Sequence, residues 1–451
     1  DENPKGKAHF EFNNQLLPAF AYMQQRGILY DQERAKEVRS ELGVEMDELQ
    51  TRIDLYAGGP LNINSPKQMT TCLYKKMGFM PQYQKEKGRK TTKLTANTEA
   101  LLTLLKKHDS SLVYDILQWR GLEGVRKQLD IQLNEDGRIR AAYNPVGTET
   151  GRLTCYGSNT GSGYNLQTTT KRLRPLFVAD PGHHIFQVDL SGADGWTVGA
   201  HSARLGDSRM LDDYNRGVKP AKVIATMYLR KDRSLATLDS DTLYNIIEDT
   251  DIPVWLYNAS KAVQHGSSYG MGKNTMSSNI LTGSWKHSGS PVHVAPKDCL
   301  ALQELFFARY IGVRRWQNWI KNTLQQTASL DCASGHVRRF FGRKGDNATL
   351  QAAYSHEPQA NTTYATNLAL HKLWHDPENR RANGSLIIEN LHQVHDALVG
   401  QFPKDKTEWA KTKLKQYFSN TMTIAEQEMI IPFEGEYGSY WGDNNAGEIK
   451  L

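Results

Sequence analysis

The expected fold is built around the stretch His184-Ile-Phe-Gln-Val-Asp-Leu-Ser-Gly-Ala-Asp194. Its apolar, β-prone first half predicts a buried strand that ends at Asp189. Ser191 and Gly192 then break the pattern, so Asp189 and Asp194 are expected where the strand opens into a turn. A carboxylate at the mouth of a core strand is costly to bury unless a cation or hydrogen bonds compensate it. Taken alone, Asp189 is more readily explained as a cap on the turn or on the next helix.

A second acid lies in a matching context far downstream. Residues 386–388 and 391–399 alternate in a way that predicts a hairpin with its turn at Glu389-Asn390. This prediction places Asp396 in the middle of the second strand. Two acids on two core strands are what a two-metal site needs, because their oxygens can bind Mg²⁺ ions lying ~3.5–4 Å apart, the geometry of in-line phosphoryl displacement.

A third group of polar residues lies on a predicted helix. Pro253 suits the first turn of a helix that continues towards Gly270. On it Lys261, His265 and Tyr269 are spaced i, i+4 and i+8, which places them on one face. A cation with two flat rings suits a triphosphate, a base and a sugar. Long and aromatic residues at this spacing usually belong to a core or an interface, but these three positions hold no aliphatic residue, which favours function.

Length and composition exclude several classes of protein. A chain of 451 residues is expected to divide into several subdomains. No apolar run approaches 18 residues and no signal pattern opens the chain, so we expect no membrane partner and no secretion. The net charge of +6 is compatible with a polyanionic partner. The four cysteines form no CxxC pair, which disfavours zinc.

Several short motifs occur in an order that resembles the family A DNA polymerases, the bacterial DNA polymerase I type, and most of all their phage members. The resemblance runs from about Phe20 to Trp441. The motifs that carry it are Thr150-Gly-Arg-Leu153, Gly163-Tyr-Asn-Leu-Gln167, Arg172-Leu-Arg174, Asp189-Leu-Ser191, the Lys261, His265 and Tyr269-Gly270 series, and Gln393-Val-His-Asp396.

The resemblance implies an α+β fold shaped like a right hand, with an antiparallel-sheet palm, helical fingers and a helical thumb. After an N-terminal helical segment at residues 1–30, the thumb is expected at residues 31–130. The palm is expected in two parts, residues 131–205 and 345–451. The fingers, residues 206–344, are inserted between them.

The resemblance also implies roles at the reaction centre. Asp189, Asp396 and the Leu190 carbonyl are expected to bind two Mg²⁺ ions, with Mn²⁺ as an alternative. Lys261 is expected to hold the incoming triphosphate, and Tyr269 to lie beside the nascent base pair. The residues expected to contact the primer-template are Arg152, Asn165, Gln167, Gln359 and His395.

Some positions depart from the family pattern. Asp194 stands where the family has a sugar-gating glutamate, and is one methylene shorter. His265 replaces a large aromatic residue, and Tyr257 replaces a cation. Either His265 or Lys222 contacts the triphosphate in place of that cation, or, an alternative at least as good, the changes are neutral drift with no change of substrate. In the first case an ordinary histidine would make nucleotide binding change with pH near 6–7.

The implied function is template-directed addition of deoxynucleoside triphosphates to a primer 3′ end by two-metal phosphoryl transfer. The expected partners are primer-template DNA and these nucleotides, with a processivity factor or an upstream exonuclease domain in addition. No acid-rich exonuclease pattern occurs in this chain. The expected location is the cytoplasm of a bacterial or phage-infected cell. The alternatives are a single-subunit RNA polymerase and a catalytically inactive primer-template-binding protein.

Overall fold

A computed structural model describes residues 4–86, 89–157 and 163–450. The described chain combines long helices with short antiparallel sheets, so the expected α+β class is confirmed. The helices are α1 Pro4–Arg26, α2 Gln32–Ala57, α3 Pro66–Thr70, α4 Thr98–Lys107, α5 Ser111–Lys127, α6 Ala193–Arg204, α7 Arg209–Asn215, α8 Pro220–Arg230, α9 Ser240–Glu248, α10 Val254–Ser268, α11 Lys273–Ser288, α12 Pro296–Arg309, α13 Ile311–Thr327, α14 Asn347–His375 and α15 Thr407–Phe418.

The strands form one larger sheet and several small ones. They are β1 Ile28–Tyr30, β2 Tyr83–Glu86, β3 Arg89–Leu94, β4 Arg138–Ile139, β5 Ala141–Asn144, β6 Thr154–Gly157, β7 Phe177–Val178, β8 His183–Leu190, β9 Ser329–Asp331, β10 Val337–Arg339, β11 Glu389–Val394, β12 Ala397–Pro403, β13 Thr421–Ile424, β14 Gln427–Ile430, β15 Phe433–Gly438 and β16 Gly447–Lys450. The order β11-β12-β8-β15-β16 makes the five-stranded sheet, and β4-β1-β7 makes a three-stranded one.

Strand β8 is the centre of the five-stranded sheet. Its apolar residues Ile185, Phe186 and Val188 are fully buried, as the sequence pattern predicts. It pairs antiparallel with β12 on one side and with β15 on the other. This double pairing fixes the register at its end, where Asp189 lies opposite Ala397 and Glu434.

The hairpin that carries Asp396 differs from the prediction. Strands β11 and β12 are joined at His395-Asp396, so the predicted turn at Glu389-Asn390 is wrong and Asp396 is not in mid-strand. Asn390 lies inside β11, where its buried amide donates to the Ala19 carbonyl at 3.0 Å. His395 adopts φ +54°, a left-handed conformation in which histidine is several-fold enriched. A polar residue in a buried strand was therefore mistaken for a turn residue.

The chain forms two compact units. The first comprises residues 1–31, 131–276 and 296–451, and it contains the five-stranded sheet. The second comprises residues 32–130 and 277–295. Its core is apolar and fully buried, including Ile53, Leu73, Leu101, Leu104, Val113 and Ile116. The names thumb, palm and fingers stay predictions, because compactness does not establish what a unit does.

Helix boundaries follow the sequence closely. Helix α2 begins directly after Asp31, and its buried stripe holds Val38, Leu42, Met46 and Ile53, which recur at helical spacing in the sequence. None of the helices in the described ranges is both long and apolar enough to cross a membrane.

Gly400 provides a test of the packing around β12. A Cβ at this position would collide with the Glu389 carbonyl and lie 2.6 Å from Cζ of Phe186. Gly400→Ala is therefore expected to destabilise the protein by about 2–3 kcal/mol in denaturant titrations. Gly121→Ala is the control, because nothing lies within 4 Å of its Cβ and it should stabilise helix α5 by about 0.5–1 kcal/mol. Equal stability of the two variants would contradict this packing.

Candidate active site

The fold brings Asp189 and Asp396 together. Asp189 lies at the end of β8 and Asp396 in the β11–β12 turn, one residue from the position that pairs with Asp189. The Leu190 amide donates to the Asp396 carbonyl at 3.4 Å, which ties the turn to the end of β8. The hydroxyl of Thr366 donates to the same carbonyl at 3.3 Å.

The two carboxyl groups are electrostatically costly. Burial away from water raises the pKa of Asp189 above its usual range, and the neighbouring Asp396 carboxyl raises it further. Burial likewise raises the pKa of Asp396, and the charge of Asp194 acts in the same direction. The Oδ1 atom of Asp189 is buried and has no hydrogen-bond partner among the residues that the structure describes. An arriving cation would offset this unfavourable charge.

The donor set suits a hard cation. In the part of the chain that the structure describes, no three His, Cys, Asp or Glu side chains are placed to hold a metal ion. Mg²⁺ does not need such a cage, because it commonly binds one or two carboxylates together with water and substrate phosphates. The orphaned oxygen of Asp189 fits this pattern. The Leu190 carbonyl as a further ligand stays a prediction.

Asp194 lies in the first turn of α6 and accepts a hydrogen bond on each carboxylate oxygen. The phenol of Tyr269, which ends α10, donates to Oδ2 at 2.7 Å. The hydroxyl of Thr362 on α14 donates to Oδ1 at 2.7 Å. The guanidinium of Arg152 lies 4.0 Å from Oδ1. The site therefore joins three helices and the Thr150–Leu153 motif.

The α10 face is arranged as its spacing predicts. Lys261 is exposed, and no carboxylate among the described residues lies within ion-pairing distance of it. Burial lowers the pKa of His265 below its ordinary value, while Asp194 opposes this shift and Lys261 and Arg152 add to it. The imidazole is therefore neutral near pH 7. The expected dependence of nucleotide binding on His265 near pH 6–7 stays a prediction, and desolvation moves the pKa of the ring below that range in the substrate-free chain.

The amides predicted to contact DNA also have structural partners. The Gln167 side chain donates to the Leu153 carbonyl at 3.0 Å and to the Gln393 carbonyl at 3.1 Å, linking its motif to β11. The side-chain oxygen of Asn165 accepts a hydrogen bond from the backbone N–H of Gln167 at 3.1 Å. Contact of either amide with DNA stays a prediction.

His395 and Gln359 lie on the elements that bound the site. Burial lowers the pKa of His395, and the charge of Arg152 lowers it further. Gln359 is on α14, one turn before Thr362. Their roles towards DNA are likewise untested.

Lys222 is not joined to these residues. Its ammonium lies on α8 and donates to Glu248 Oε1 at 3.2 Å, and both side chains are exposed. Among the described residues, no hydrogen bond or ion pair links Lys222 to either acid. Its proposed contact with a triphosphate has no support from these contacts.

Sequence reasoning missed the residues that hold the site in place. Thr362 and Thr366 are buried on α14, and Gln264 on α10 donates to the hydroxyl of Tyr214 at 2.8 Å. Tyr214 lies beneath the first turn of α6, stacked on Trp196 with 5.2 Å between ring centroids. Hydroxyl and amide residues on helices are common, so nothing in their spacing distinguishes these from others.

Comparison with solved structures identifies the class of fold. The POL domain of Pol1 from M. smegmatis, in complex with DNA primer-template and dNTP, superimposes with a TM-score of 0.75. The match covers 95% of this chain and 70% of that one, at 19% identity. The fold is therefore that of a polymerase domain.

The chain belongs to DNA polymerase family A, whose sequence profile matches residues 32–443. It is 25% identical over 448 residues to the thermostable DNA polymerase I of Thermus filiformis, covering 95% of this chain and 47% of that protein. It is 25% identical over 446 residues to DNA polymerase I of Chloroflexus aurantiacus, covering 95% and 42%. The chain thus spans about half the length of the curated relatives it matches. The family resemblance is confirmed, while the greater likeness to phage members stays a prediction.

Relief of the charge at the two acids is measurable without substrate. The raised pKa of Asp189 means that its ionised form is less favourable in the folded than in the unfolded chain, so stability falls as pH rises through that pKa. Asp189→Asn is expected to stabilise the metal-free protein at pH 8 by about 1–3 kcal/mol. Mn²⁺ should raise the melting temperature of the parent but not of this variant.

Asp405→Asn is the matched control, because Asp405 is exposed. It should melt like the parent in both conditions. A destabilised Asp189→Asn protein that still responds to Mn²⁺ would contradict the electrostatic interpretation.

Proposed function

We propose that the chain is a DNA-directed DNA polymerase that adds deoxynucleoside triphosphates to a primer 3′ end as the template directs. The observation that carries the proposal is the pairing of two half-buried acids, Asp189 and Asp396, in a member of DNA polymerase family A. Half-buried like charges serve no purpose in a protein that only binds DNA. They suit an enzyme whose cations enter with the substrate.

The acids are proposed to hold two Mg²⁺ ions, for which Mn²⁺ can substitute, together with the Leu190 carbonyl. When bound, the ions supply a lowered pKa of the primer 3′ hydroxyl and charge stabilisation at the α-phosphate. Asp189 and Asp396 fix the place of this chemistry, because both are tied to the end of β8. Thr366 restrains the Asp396 backbone.

The α10 face is proposed to bind the incoming nucleotide. Lys261 has no acidic partner in the described part of the chain and can balance the triphosphate charge. His265, neutral near pH 7, offers a flat ring and a hydrogen-bonding nitrogen to the nascent base pair. Tyr269 closes that face, and Asp194 is proposed to exclude a ribose 2′-hydroxyl.

The primer-template is proposed to approach along Arg152, Gln359 and His395, with Asn165 and Gln167 on the template side. The solved relative from M. smegmatis contains primer-template and dNTP, which supports the same ligands for this chain. In this scheme residues 31–130 are the thumb and residues 206–344 are the fingers. The two parts of the palm precede and follow the fingers in the sequence. A processivity factor and an exonuclease domain elsewhere in the protein are further proposed partners.

Primer extension tests the function directly. With Mg²⁺, a primer-template and each nucleotide in turn, the parent should add only the templated deoxynucleotide. Asp396→Ala should abolish extension while binding primer-template nearly as well as the parent in a gel-shift assay, because phosphate contacts supply most DNA affinity. Asp405→Asn is the control and should extend normally.

Each failure of this experiment has its own meaning. Preferential use of ribonucleotides would favour an RNA polymerase. DNA binding without extension by the parent would favour an inactive binding protein. Normal extension by Asp396→Ala would contradict the assignment of the acids.

Lys261→Ala tests the nucleotide-binding face. It should raise KM for the incoming nucleotide and lower kcat, because a cation facing the triphosphate serves both binding and charge development. A loss of about tenfold to a hundredfold in kcat/KM is expected. Lys273→Ala, on the adjacent helix α11, is the control. An unchanged KM with weakened DNA binding would assign this face to DNA instead.

A further inference from the structure

The carboxylate of Asp194 is held from two helices at once. Tyr269 donates to one oxygen and Thr362 to the other, each at 2.7 Å. The oxygen that Thr362 holds is also the one nearest to Arg152. The carboxylate plane is therefore set by two hydroxyl groups that come from α10 and α14.

The backbone beneath Asp194 is fixed as well. Gly192 precedes α6 with φ +67°, so the helix starts from a left-handed residue. A Cβ on Gly195 would collide with the hydroxyl of Tyr214, which lies directly under the first turn. The first turn of α6, which carries Asp194, is therefore packed directly against Tyr214. The orientation of the Asp194 carboxylate is set by the hydrogen bonds that it accepts.

Thr362 controls that orientation. Its hydroxyl has one proton and two acceptors nearby, Oδ1 of Asp194 at 2.7 Å and the Pro358 carbonyl at 2.9 Å. A hydrogen bond to a carboxylate is stronger than one to a neutral carbonyl. The Thr362 hydroxyl therefore donates its hydrogen bond to Asp194. Thr362 is only 2% exposed, and water cannot readily replace its hydroxyl.

We propose that Thr362 is a positioning residue that makes Asp194 selective between deoxyribose and ribose nucleotides. This inference rests on the proposed polymerase function. With both oxygens held, the carboxylate cannot turn to accept a hydrogen bond from a 2′-hydroxyl, and that hydroxyl loses water without compensation. Without the Thr362 hydroxyl, the carboxylate is free to rotate, and its Oδ1 can accept a hydrogen bond from the 2′-hydroxyl. The kcat/KM for ribonucleotides then rises, while that for deoxynucleotides is unchanged.

The test compares Thr362→Val, Thr362→Ala and Thr362→Ser with the parent in single-nucleotide incorporation. The ratio of kcat/KM for the deoxynucleotide to that for the matching ribonucleotide should fall about tenfold in the Val and Ala variants. The change should appear mainly as a lower KM for the ribonucleotide. The Ser variant keeps the hydroxyl and should restore the parental ratio.

Thr363→Val is the matched control, since among the described residues the hydroxyl of this buried neighbour bonds only the Gln359 carbonyl of its own helix. It should keep the parental ratio. Two results would overturn the proposal: a parental ratio in both Thr362→Val and Thr362→Ala while Asp194→Ala loses discrimination, or a Ser variant as unselective as the Val variant. Either would leave the polymerase function standing. If the parent incorporates no templated nucleotide, the polymerase function itself is refuted.

Discussion

The pairing of β8 with both β12 and β15 is the constraint on which the site depends. This pairing fixes the position of Asp189, and the tight His395-Asp396 turn brings the second acid beside it. Two carboxylates are thereby partly removed from water, where ionisation of either is unfavourable. We propose that a divalent cation offsets this unfavourable charge.

Buried hydrogen bonds join the elements around the acids. Gln393 is buried beside Asp396 and donates to Asn367 of α14 at 3.2 Å, so the turn is linked to the helix behind it. Farther from the acids, Arg309 is buried against Asp213 with its Nε donating at 2.7 Å. Removing one member of such a pair costs about 3–5 kcal/mol. Buried polar pairs of this kind specify one packing of the elements that they join, β11 with α14 and α7 with α12.

Strong, local patterns were predictable from sequence. The β8 strand, the stripe of α2 and the face of α10 follow from apolar and helical spacing alone. The β11–β12 turn was not predictable, because buried Asn390 resembles a turn residue and the real turn uses a left-handed histidine. The neutral state of His265 depends on burial and on cations that come from distant parts of the chain. The role of Thr362 likewise appears only when α14 is packed against α6.

We propose that Asp189 and Asp396 hold the cations of the reaction. Electron paramagnetic resonance of Mn²⁺ tests it most directly, with the protein bound to a primer-template that ends in a dideoxynucleotide and to the next templated nucleotide. We expect about two tightly bound ions per chain in the parent. The Asp189→Ala, Asp396→Ala double variant should hold none in this complex. Equal Mn²⁺ binding by parent and variant would contradict the account.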